Sequence, residues 1–298
     1  MSSEPTISVV IPTYQCGRFL RDSLDSILAQ SGPDTEVIVV DDGSTDETPE
    51  ILAAYGDALT VLRGQHGGLA AARNLGLGRA RGRWIAFHDA DDIAAGDRLA
   101  WSVAFLQQHP QFDAVFGNGQ RMGVVDPVAA SVVPRRWFER IRERPIDVTD
   151  LFEGYPVYFQ GALVPRRAFD AAGAFDPDYR VQPDIDYGYR LFLQCRAACI
   201  DRPLFHYRWH TTNNSADLLG GREDIVRLLE RLPRTVPEAA RRIGQRRLRR
   251  RIAHVSFRLG LARLARGERP AARAAFRRAA ALRPWHLRYQ WMRARTVW

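Results

Sequence analysis

Apolar residues in the first hundred positions form short continuous runs, separated by longer stretches with helical spacing. Such runs are typical of strands buried on both faces, and recurrence every three or four residues is typical of helices. The runs predict strands at residues 7–11, 36–41, 59–62 and 84–87. The spacing predicts helices at 19–28, 44–55 and 69–80, the second opening with Ser44 and Glu47 as a capping box. This alternation predicts a doubly wound α/β sheet.

The middle of the chain has a mixed pattern, and its last part is helical. Strands are expected at 114–117 and 161–164, helices at 101–107, 166–172 and 185–198, and an irregular segment at 126–145. Beyond residue 222, one helix stripe runs through Ile243, Leu248, Ile252, Val255 and Leu259. Residues 267–270 break this helix, and a second helix is expected at 271–282.

The composition excludes several kinds of chemistry. The chain has 298 residues, of which 46% are hydrophobic and 26% charged, so a sizeable core can form. None of its 43 basic residues is a lysine. Because a Walker-type phosphate loop, a protein kinase and a Schiff-base enzyme each require a lysine, these three classes are excluded.

The charge is distributed unevenly. Residues 1–221 hold 21 arginines against 29 acidic residues, a net −8, whereas residues 222–298 hold 22 arginines against 5, a net +17. An external anionic partner is therefore expected to be attracted to the C-terminal region before the rest of the chain. No aromatic residue lies within the arginine cluster at 241–251, which argues against single-stranded nucleic acid. We expect this cluster to face an anionic membrane surface, with an acidic partner or the chain's own acidic body as alternatives.

The remaining composition indicates a cytoplasmic protein. The first residues lack the basic and apolar regions of a signal peptide, and no run of about 18 apolar residues occurs. Cys16, Cys195 and Cys199 are too few and too scattered for a disulfide framework. We expect Cys195 and Cys199 to be buried thiols one turn apart on a helix, without a second pair to complete a zinc site. Peripheral contact with the inner face of the membrane is left open.

Two acidic clusters come directly after predicted strands. Asp41 and Asp42 follow the second strand, and Asp89, Asp91 and Asp92 follow the fourth. Ligands of doubly wound sheets bind outside the carboxyl ends of the strands. Residues two apart in an extended segment point to the same side, so Asp89 and Asp91 can face one ligand. Carboxylates suit Mg²⁺ or Mn²⁺ holding a diphosphate, and a solvated acidic turn is the alternative.

An ordered series of segments gives a resemblance to a known family. The segments are residues 7–14, 41–46, 67–74, 87–92, 161–166, 173–176, 184–190 and 207–210. In order and spacing they resemble family 2 glycosyltransferases, over roughly residues 6–216. The resemblance implies the GT-A fold, a Rossmann-like, doubly wound mixed sheet, here followed by an α-helical region. Within that region, Gly260, the run 271–276 and Pro284 resemble a single tetratricopeptide-type hairpin.

The resemblance also implies an activity and a domain organisation. It implies non-processive transfer of one sugar, with inversion, from a nucleoside diphosphate sugar to the hydroxyl of a glycan or lipid-linked acceptor. Bacterial surface glycan or glycoconjugate synthesis is the expected setting. The GT-A domain is predicted at 1–218, with a nucleotide-binding half at about 1–100 and an acceptor half at about 101–218. The basic helical region is predicted at 222–298.

Roles for individual residues follow from matching positions of the family's motifs. Asp89 and Asp91 match the Asp-x-Asp motif. The match implies that Asp91 is the direct ligand of Mg²⁺ or Mn²⁺, and that Asp89 takes part in binding both the metal and the nucleotide sugar. His210 matches a histidine that completes the metal's ligands, and Asp184 matches the catalytic base. The residues implied to hold the nucleotide are Pro12, Thr13, Tyr14, Asp42 and Arg73.

The choice of Asp184 over Asp186 also follows from helix geometry. The segment from Pro183 reads as a helix start, where acidic residues are favoured. Two positions along a helix correspond to a turn of about 200°, so the two carboxylates cannot face the same acceptor. Asp186 lies four residues before Arg190, a spacing suited to a structural ion pair.

The chain departs from the family's pattern at three places. Pro183 stands where the family usually has Glu, and His66 stands where Asn is common. The Gln-x-x-Arg-Trp signature of processive members is absent, since Phe205 occupies the Gln position before Arg208. Pro183 supports the alternative hypothesis, a non-catalytic protein that binds sugar nucleotides or acts as a scaffold.

Overall fold

A mixed β-sheet organises the first two thirds of the chain. The computed structural model describes residues 5–141, 144–156, 158–211, 213 and 216–295. The strands found there are β1 (Ile7–Thr13), β2 (Thr35–Asp41), β3 (Thr60–Arg63), β4 (Trp84–Phe87), β5 (Ile93–Ala94), β6 (Ala114–Arg121), β7 (Ala162–Pro165) and β8 (Ala197–Tyr207). Their order across the sheet is β3-β2-β1-β4-β7-β6-β8-β5.

Strand direction divides the sheet into a parallel half and a mixed half. Strands β1 to β4 run parallel to one another, β7 is antiparallel to both β4 and β6, β8 is parallel to β6, and β5 is antiparallel to β8. Every residue of β1 is buried, as expected of a strand covered on both faces. The predicted α/β sheet, with a parallel nucleus, is therefore present.

Helices connect the strands, and further helices follow the last strand. Those between the strands are α1 (Gly17–Leu28), α2 (Thr48–Ala53), α3 (Gly68–Arg79), α4 (Arg98–Gln108), α5 (Pro127–Ala130), α6 (Arg135–Ile141), α7 (Val148–Glu153), α8 (Arg166–Ala172) and α9 (Pro183–Leu191). The later ones are α10 (Leu218–Thr235), α11 (Pro237–Ile243), α12 (Gln245–Ala265), α13 (Arg269–Leu282) and α14 (Leu287–Arg295). Among the described residues, no helix has both the length and the hydropathy needed to cross a bilayer.

The chain divides into two units. One consists of Met1–Asp178 with Pro183–His210, and contains the sheet; the other consists of Tyr179–Gln182 with Thr211–Trp298, and contains the later helices. In the second unit, the predicted stripe from Ile243 to Leu259 is buried, although Gly244 divides it between α11 and α12. Gly260 lets α12 and α13 approach closely, because a Cβ there would lie 2.6 Å from the ring of Phe276.

The predicted capping box at Ser44 is wrong. Helix α2 begins at Thr48, and Glu47 precedes it without a side-chain cap. Ser44 is instead part of the turn after β2, where its backbone N–H donates to Asp41 at 2.9 Å. Its hydroxyl accepts from the backbone N–H of Gln15, also at 2.9 Å. The loop after β1 therefore uses the serine that the sequence pattern assigned to the helix.

The predicted helix at 185–198 is too long. Helix α9 ends at Leu191, and β8 begins at Ala197 because its backbone pairs in parallel with β6. Cys195 and Cys199 therefore do not share a helix, but both are buried free thiols, as expected. Burial raises the pKa of each thiol to about 12.

Several parts of the described secondary structure were not predicted from the sequence. The segment at 126–145, expected to be irregular, contains α5 and α6. Strand β6 continues to Arg121, four residues beyond its predicted end, through an irregular register with β8. The final helix, α14, lies beyond Pro284, where the pattern predicted only a stop.

Gly76 allows helix α3 to pack directly on the parallel strands. A Cβ at this position would overlap the Cγ1 atom of Val10 and lie 3.2 Å from Cγ2 of Val40. Gly78, on the same helix, has open space around its missing Cβ. Gly76 is thus required by packing, whereas Gly78 is not.

We predict opposite effects for alanine at these two positions. Gly76→Ala should lower the free energy of unfolding by about 1–3 kcal/mol, because it overpacks the contact with Val10. Gly78→Ala should raise it by about 0.5–1 kcal/mol, because alanine favours the helix and meets no atom. Denaturant titration of both variants measures the difference, and equal effects would contradict this packing.

Candidate active site

The carboxyl ends of the parallel strands meet at one edge of the sheet. Thr13, the last residue of β1, is paired with Asp41, the last residue of β2. Immediately after β4, the backbone N–H of His88 donates to the carbonyl oxygen of Val10 at 3.1 Å. Both predicted acidic clusters therefore lie along the edge where sheets of this type bind ligands.

Asp42 organises the loop before α3. One carboxylate oxygen accepts from the backbone N–H of Gly67 at 2.9 Å, and the other accepts from that of Gly68 at 2.7 Å. A Cβ on Gly64 would lie 2.5 Å from the Asp42 carboxylate. Asp42 is buried, so it shapes the loop through these backbone groups.

The other residues predicted to hold the nucleotide lie beside this loop. Tyr14 stacks on His66, with ring centroids 4.2 Å apart, and its side chain is 45% exposed. His66 has a φ of 57°, a left-handed conformation, which turns its ring toward Tyr14. Pro12 and Thr13 are buried in β1, and the Thr13 hydroxyl has no hydrogen-bond partner among the described residues.

Three carboxylates converge after β4. Asp89, Asp91 and Asp92 each place one oxygen within 4.8 Å of the others. Burial raises the pKa of Asp89; Arg73 opposes this shift, while Asp91 and Asp184 add to it. Burial likewise raises the pKa of Asp92, and the charges of Asp89 and Asp91 raise it further. Keeping all three carboxylates ionised is therefore unfavourable unless positive charge accompanies them.

Residues after β8 complete the cluster. The Nε2 atom of His210 lies 3.0 Å from a carboxylate oxygen of Asp91, and its ring stacks on Phe19. Arg208 donates from its backbone N–H to Asp92 at 2.9 Å and from Nε to the carbonyl of Asp91 at 3.0 Å. These bonds bring His210 to Asp91, as the sequence predicts.

Arg73 connects the acidic cluster to Asp184. Its side chain is 1% exposed; one amino group forms an ion pair with Asp184, and the other lies 3.7 Å from Asp89. The guanidinium also packs over the rings of Phe87 and Phe175, at 5.1 and 5.4 Å. Arg73 was expected near the nucleotide, and no pattern in the sequence indicated its contact with Asp184.

Asp184 and Asp186 have different surroundings, as predicted. Both lie in the first turn of α9, which begins at Pro183. The carboxylate of Asp186 is paired with Arg190 at 2.8 Å, and Arg190 also donates to the carbonyls of Ala172 and Ala174. Arg190 therefore ties α9 to the end of α8 and Asp186 holds Arg190 in place, whereas Asp184 is 21% exposed and faces Arg73.

A second buried arginine lies behind the cluster. Arg98 is 1% exposed and donates to the carbonyl oxygen of Phe87 at 2.6 Å. Burial lowers its pKa to about 10, while the negative charges of Asp89 and Asp92 oppose that shift. Its Nη1 lies 3.4 Å from Nδ1 of His88, which is fully buried. The sequence pattern contained no signal for Arg98, which occupies an ordinary position at the start of α4.

The cluster fits a divalent cation. Two of its carboxylates, Asp89 and Asp91, remain 28% and 24% exposed, so their oxygens can be reached from outside. Carboxylate oxygens suit Mg²⁺ and Mn²⁺, and imidazole nitrogen is a further ligand for Mn²⁺. Burial raises the pKa of Asp89 and of Asp92, and the neighbouring carboxylates add to this; a bound cation would favour the ionised forms of both groups.

Proteins of known structure share this fold. TarS from S. aureus, solved in complex with UDP-GlcNAc, has a TM-score of 0.70 at 20% identity, covering 98% of this chain and 88% of that one. The mannosyltransferase PcManGT from Pyrobaculum calidifontis, solved with GDP-Man and Mn²⁺, has a TM-score of 0.58 at 22% identity, covering 99% and 86%. At these identities, the comparison establishes the fold, and it agrees with the predicted GT-A class.

Sequence comparison establishes the family. A PGL/p-HBAD biosynthesis glycosyltransferase of Mycobacterium tuberculosis is 30% identical over 238 residues, which cover 77% of this chain and 84% of that protein. An uncharacterised glycosyltransferase of Rickettsia prowazekii is 27% identical over 226 residues, covering 74% and 70%. The family model for glycosyl transferase family 2 matches residues 8–171, more than half of the chain. This chain therefore belongs to glycosyl transferase family 2.

Proposed function

We propose that this enzyme transfers one sugar from a nucleoside diphosphate sugar to an acceptor hydroxyl, with inversion and with the help of a divalent cation. The observation that carries the proposal is the contact of Arg73 with both Asp89 and Asp184. It brings a cation-binding carboxylate and a candidate base to the same guanidinium. The nucleotide sugars and Mn²⁺ bound by TarS and PcManGT support the same type of donor and cofactor here.

The nucleoside is assigned to two neighbouring loops, one after β1 and one before α3. Tyr14 offers a half-exposed ring beside His66, and Thr13 offers a hydroxyl at the end of β1. Asp42 holds the backbone of Gly67 and Gly68 in place, so its contribution is to position this loop. Pro12 fixes the backbone just before these groups.

Asp89, Asp91 and His210 would hold the cation, with Asp92 behind them. When bound, a divalent cation neutralises the charge that develops on the diphosphate as the sugar–phosphate bond breaks. Arg208 keeps Asp91 and Asp92 in place through its backbone and side-chain hydrogen bonds. Arg73 adds a fixed positive charge beside Asp89.

Asp184 is assigned as the general base. The acceptor oxygen forms its new bond to the anomeric carbon on the face opposite the departing diphosphate, which inverts the configuration. The proton of the acceptor hydroxyl passes to the Asp184 carboxylate, which Arg73 orients. A non-catalytic role has only Pro183 in its favour, and Pro183 is well placed as the first residue of α9, where its missing N–H is not needed.

The acceptor is assigned to the glycan or lipid-linked class, in bacterial surface glycan or glycoconjugate synthesis. The relative named for PGL/p-HBAD biosynthesis supports this setting. We assign catalysis to the predicted GT-A domain, residues 1–218. We assign membrane contact to the basic helical region at 222–298, with the arginines at 241–251 facing anionic lipid and each adding about 1 kcal/mol.

The cation assignment predicts the effect of Asp91→Ala. This variant should lose turnover almost completely while keeping its melting temperature, because the removed ligand lies at the edge of the sheet outside the core. Asp97→Ala is the matched control, since Asp97 is an exposed carboxylate paired with Arg202 outside the cluster. Product formation is measured with and without EDTA. Full activity of the Asp91→Ala protein, or of the unaltered enzyme in excess EDTA, would contradict the assignment.

The base assignment predicts the effect of Asp184→Asn. Asparagine keeps an oxygen that can accept from Arg73 but cannot take the acceptor's proton, so the rate should fall at least about a hundredfold with donor binding retained. Asp186→Asn is the matched control two residues away. Its asparagine can likewise still accept from Arg190, so it should lower the free energy of unfolding only modestly, through the loss of the carboxylate charge, with little change in rate. Near-normal turnover of Asp184→Asn would remove this residue from the mechanism.

The membrane assignment predicts how the enzyme binds vesicles. The full chain should float with vesicles that contain phosphatidylglycerol and not with pure phosphatidylcholine, because the attraction is electrostatic. Raising the salt concentration should weaken the binding. Equal binding to both vesicle types at low salt would rule out the electrostatic account.

A further inference from the structure

Helix α14 has two apolar faces. Tyr289 and Met292 are buried against the second unit's core, which includes Phe257. Leu287 and Trp291 lie one turn apart and are 85% and 55% exposed. With about 100° per residue, the exposed pair lies roughly 150° around the helix from the buried pair. A surface helix of a globular protein normally needs only one apolar face, so the outer face of α14 is unexplained by folding.

A third exposed side chain extends this surface. Trp285, two residues before α14, is 93% exposed. We call Trp285, Leu287 and Trp291 the aromatic edge. Single exposed apolar residues are common on protein surfaces, but large ones close together usually mark a contact site.

The segment that carries the aromatic edge contains basic residues and no acidic ones. Residues 269–295 contain 8 arginines and no acidic residue. On α14 itself, Arg288, Arg293 and Arg295 accompany the aromatic edge, and the guanidinium of Arg295 packs over the ring of Trp291 at 4.9 Å. A second copy of this surface would be repelled. The complementary surface must therefore be both anionic and apolar.

An anionic bilayer places negatively charged headgroups and apolar acyl chains within a few ångströms of one another in depth. Tryptophan is favoured at the level of the lipid headgroups, where its ring is apolar and its N–H can donate to polar groups. Arginines beside it meet the phosphates, and leucine reaches the acyl boundary. Nucleic acid would suit the arginines but would not explain the exposed leucine.

We infer that the aromatic edge inserts into the headgroup region of an anionic membrane. This inference rests on the membrane contact proposed above, and it assigns the apolar part of that contact to α14, outside the arginines at 241–251. The arginine part and the apolar part of this contact respond differently to salt. Screening weakens the attraction between the arginines and anionic lipid, but it does not weaken the insertion of apolar side chains.

The test compares three variants of the full chain. Trp285→Ala with Trp291→Ala removes the two rings, Arg249→Gln with Arg250→Gln removes two charges, and Leu218→Ala removes an apolar side chain that is 65% exposed in α10. Binding is measured by flotation with phosphatidylglycerol-containing vesicles, and insertion by quenching of tryptophan emission with brominated lipid. Donor hydrolysis is measured for each variant, so that loss of the proposed reaction is detected separately.

We expect the tryptophan variant to bind at least about tenfold more weakly at physiological salt and to lose quenching, with Leu218→Ala unchanged. The charge variant should lose binding mainly at low salt and keep its quenching once bound. Unchanged vesicle binding of the tryptophan variant would overturn the inference and leave the arginine contact standing. Failure of the unaltered enzyme to bind anionic vesicles while it binds an RNA oligonucleotide would overturn both, without touching the sugar-transfer proposal.

Discussion

Repulsion among carboxylates at one end of the sheet is the constraint on which the rest of the site depends. Asp89, Asp91 and Asp92 lie within a few ångströms of one another and are largely withdrawn from water, and Asp184 adds a further negative charge. Such a group is costly unless positive charge accompanies it. Two arginines buried almost completely, Arg73 and Arg98, supply part of that charge. The negative charge that these arginines leave uncompensated makes the site suited to a divalent cation.

The position of Arg73 follows from the packing of its helix. Gly76 lets α3 lie directly on Val10 of the central strand. Arg73 is three residues earlier on the same side of the helix, so its side chain extends toward the end of the sheet. There it is surrounded by aromatic rings and bonded to Asp184, which is 111 residues away in sequence. A packing requirement of the core thus places a charged group at the candidate active site.

The local parts of this arrangement were predictable, and the long-range parts were not. The bounds of β4 and α8 agree with the sequence pattern, and the acidic clusters were expected at strand ends because apolar runs end there. Residues 192–200 carry mostly apolar and small side chains that suit a helix as well as a strand, so only pairing with β6 decides that β8 forms. Contacts such as that of Arg98 with His88 produce no periodic pattern in a single sequence, so they could not be predicted from it.

The pairing of β8 also explains how a histidine far along the chain reaches the acidic cluster. Ile93, which directly follows Asp92, is paired with His206 in the antiparallel contact between β5 and β8. That backbone register brings the residues after β8 back to the acids that precede β5, where Arg208 bonds to both Asp91 and Asp92. Shifting the register by one residue would turn these side chains to the other face of the sheet. The geometry of the acidic cluster is therefore set by strand pairing as well as by its own side chains.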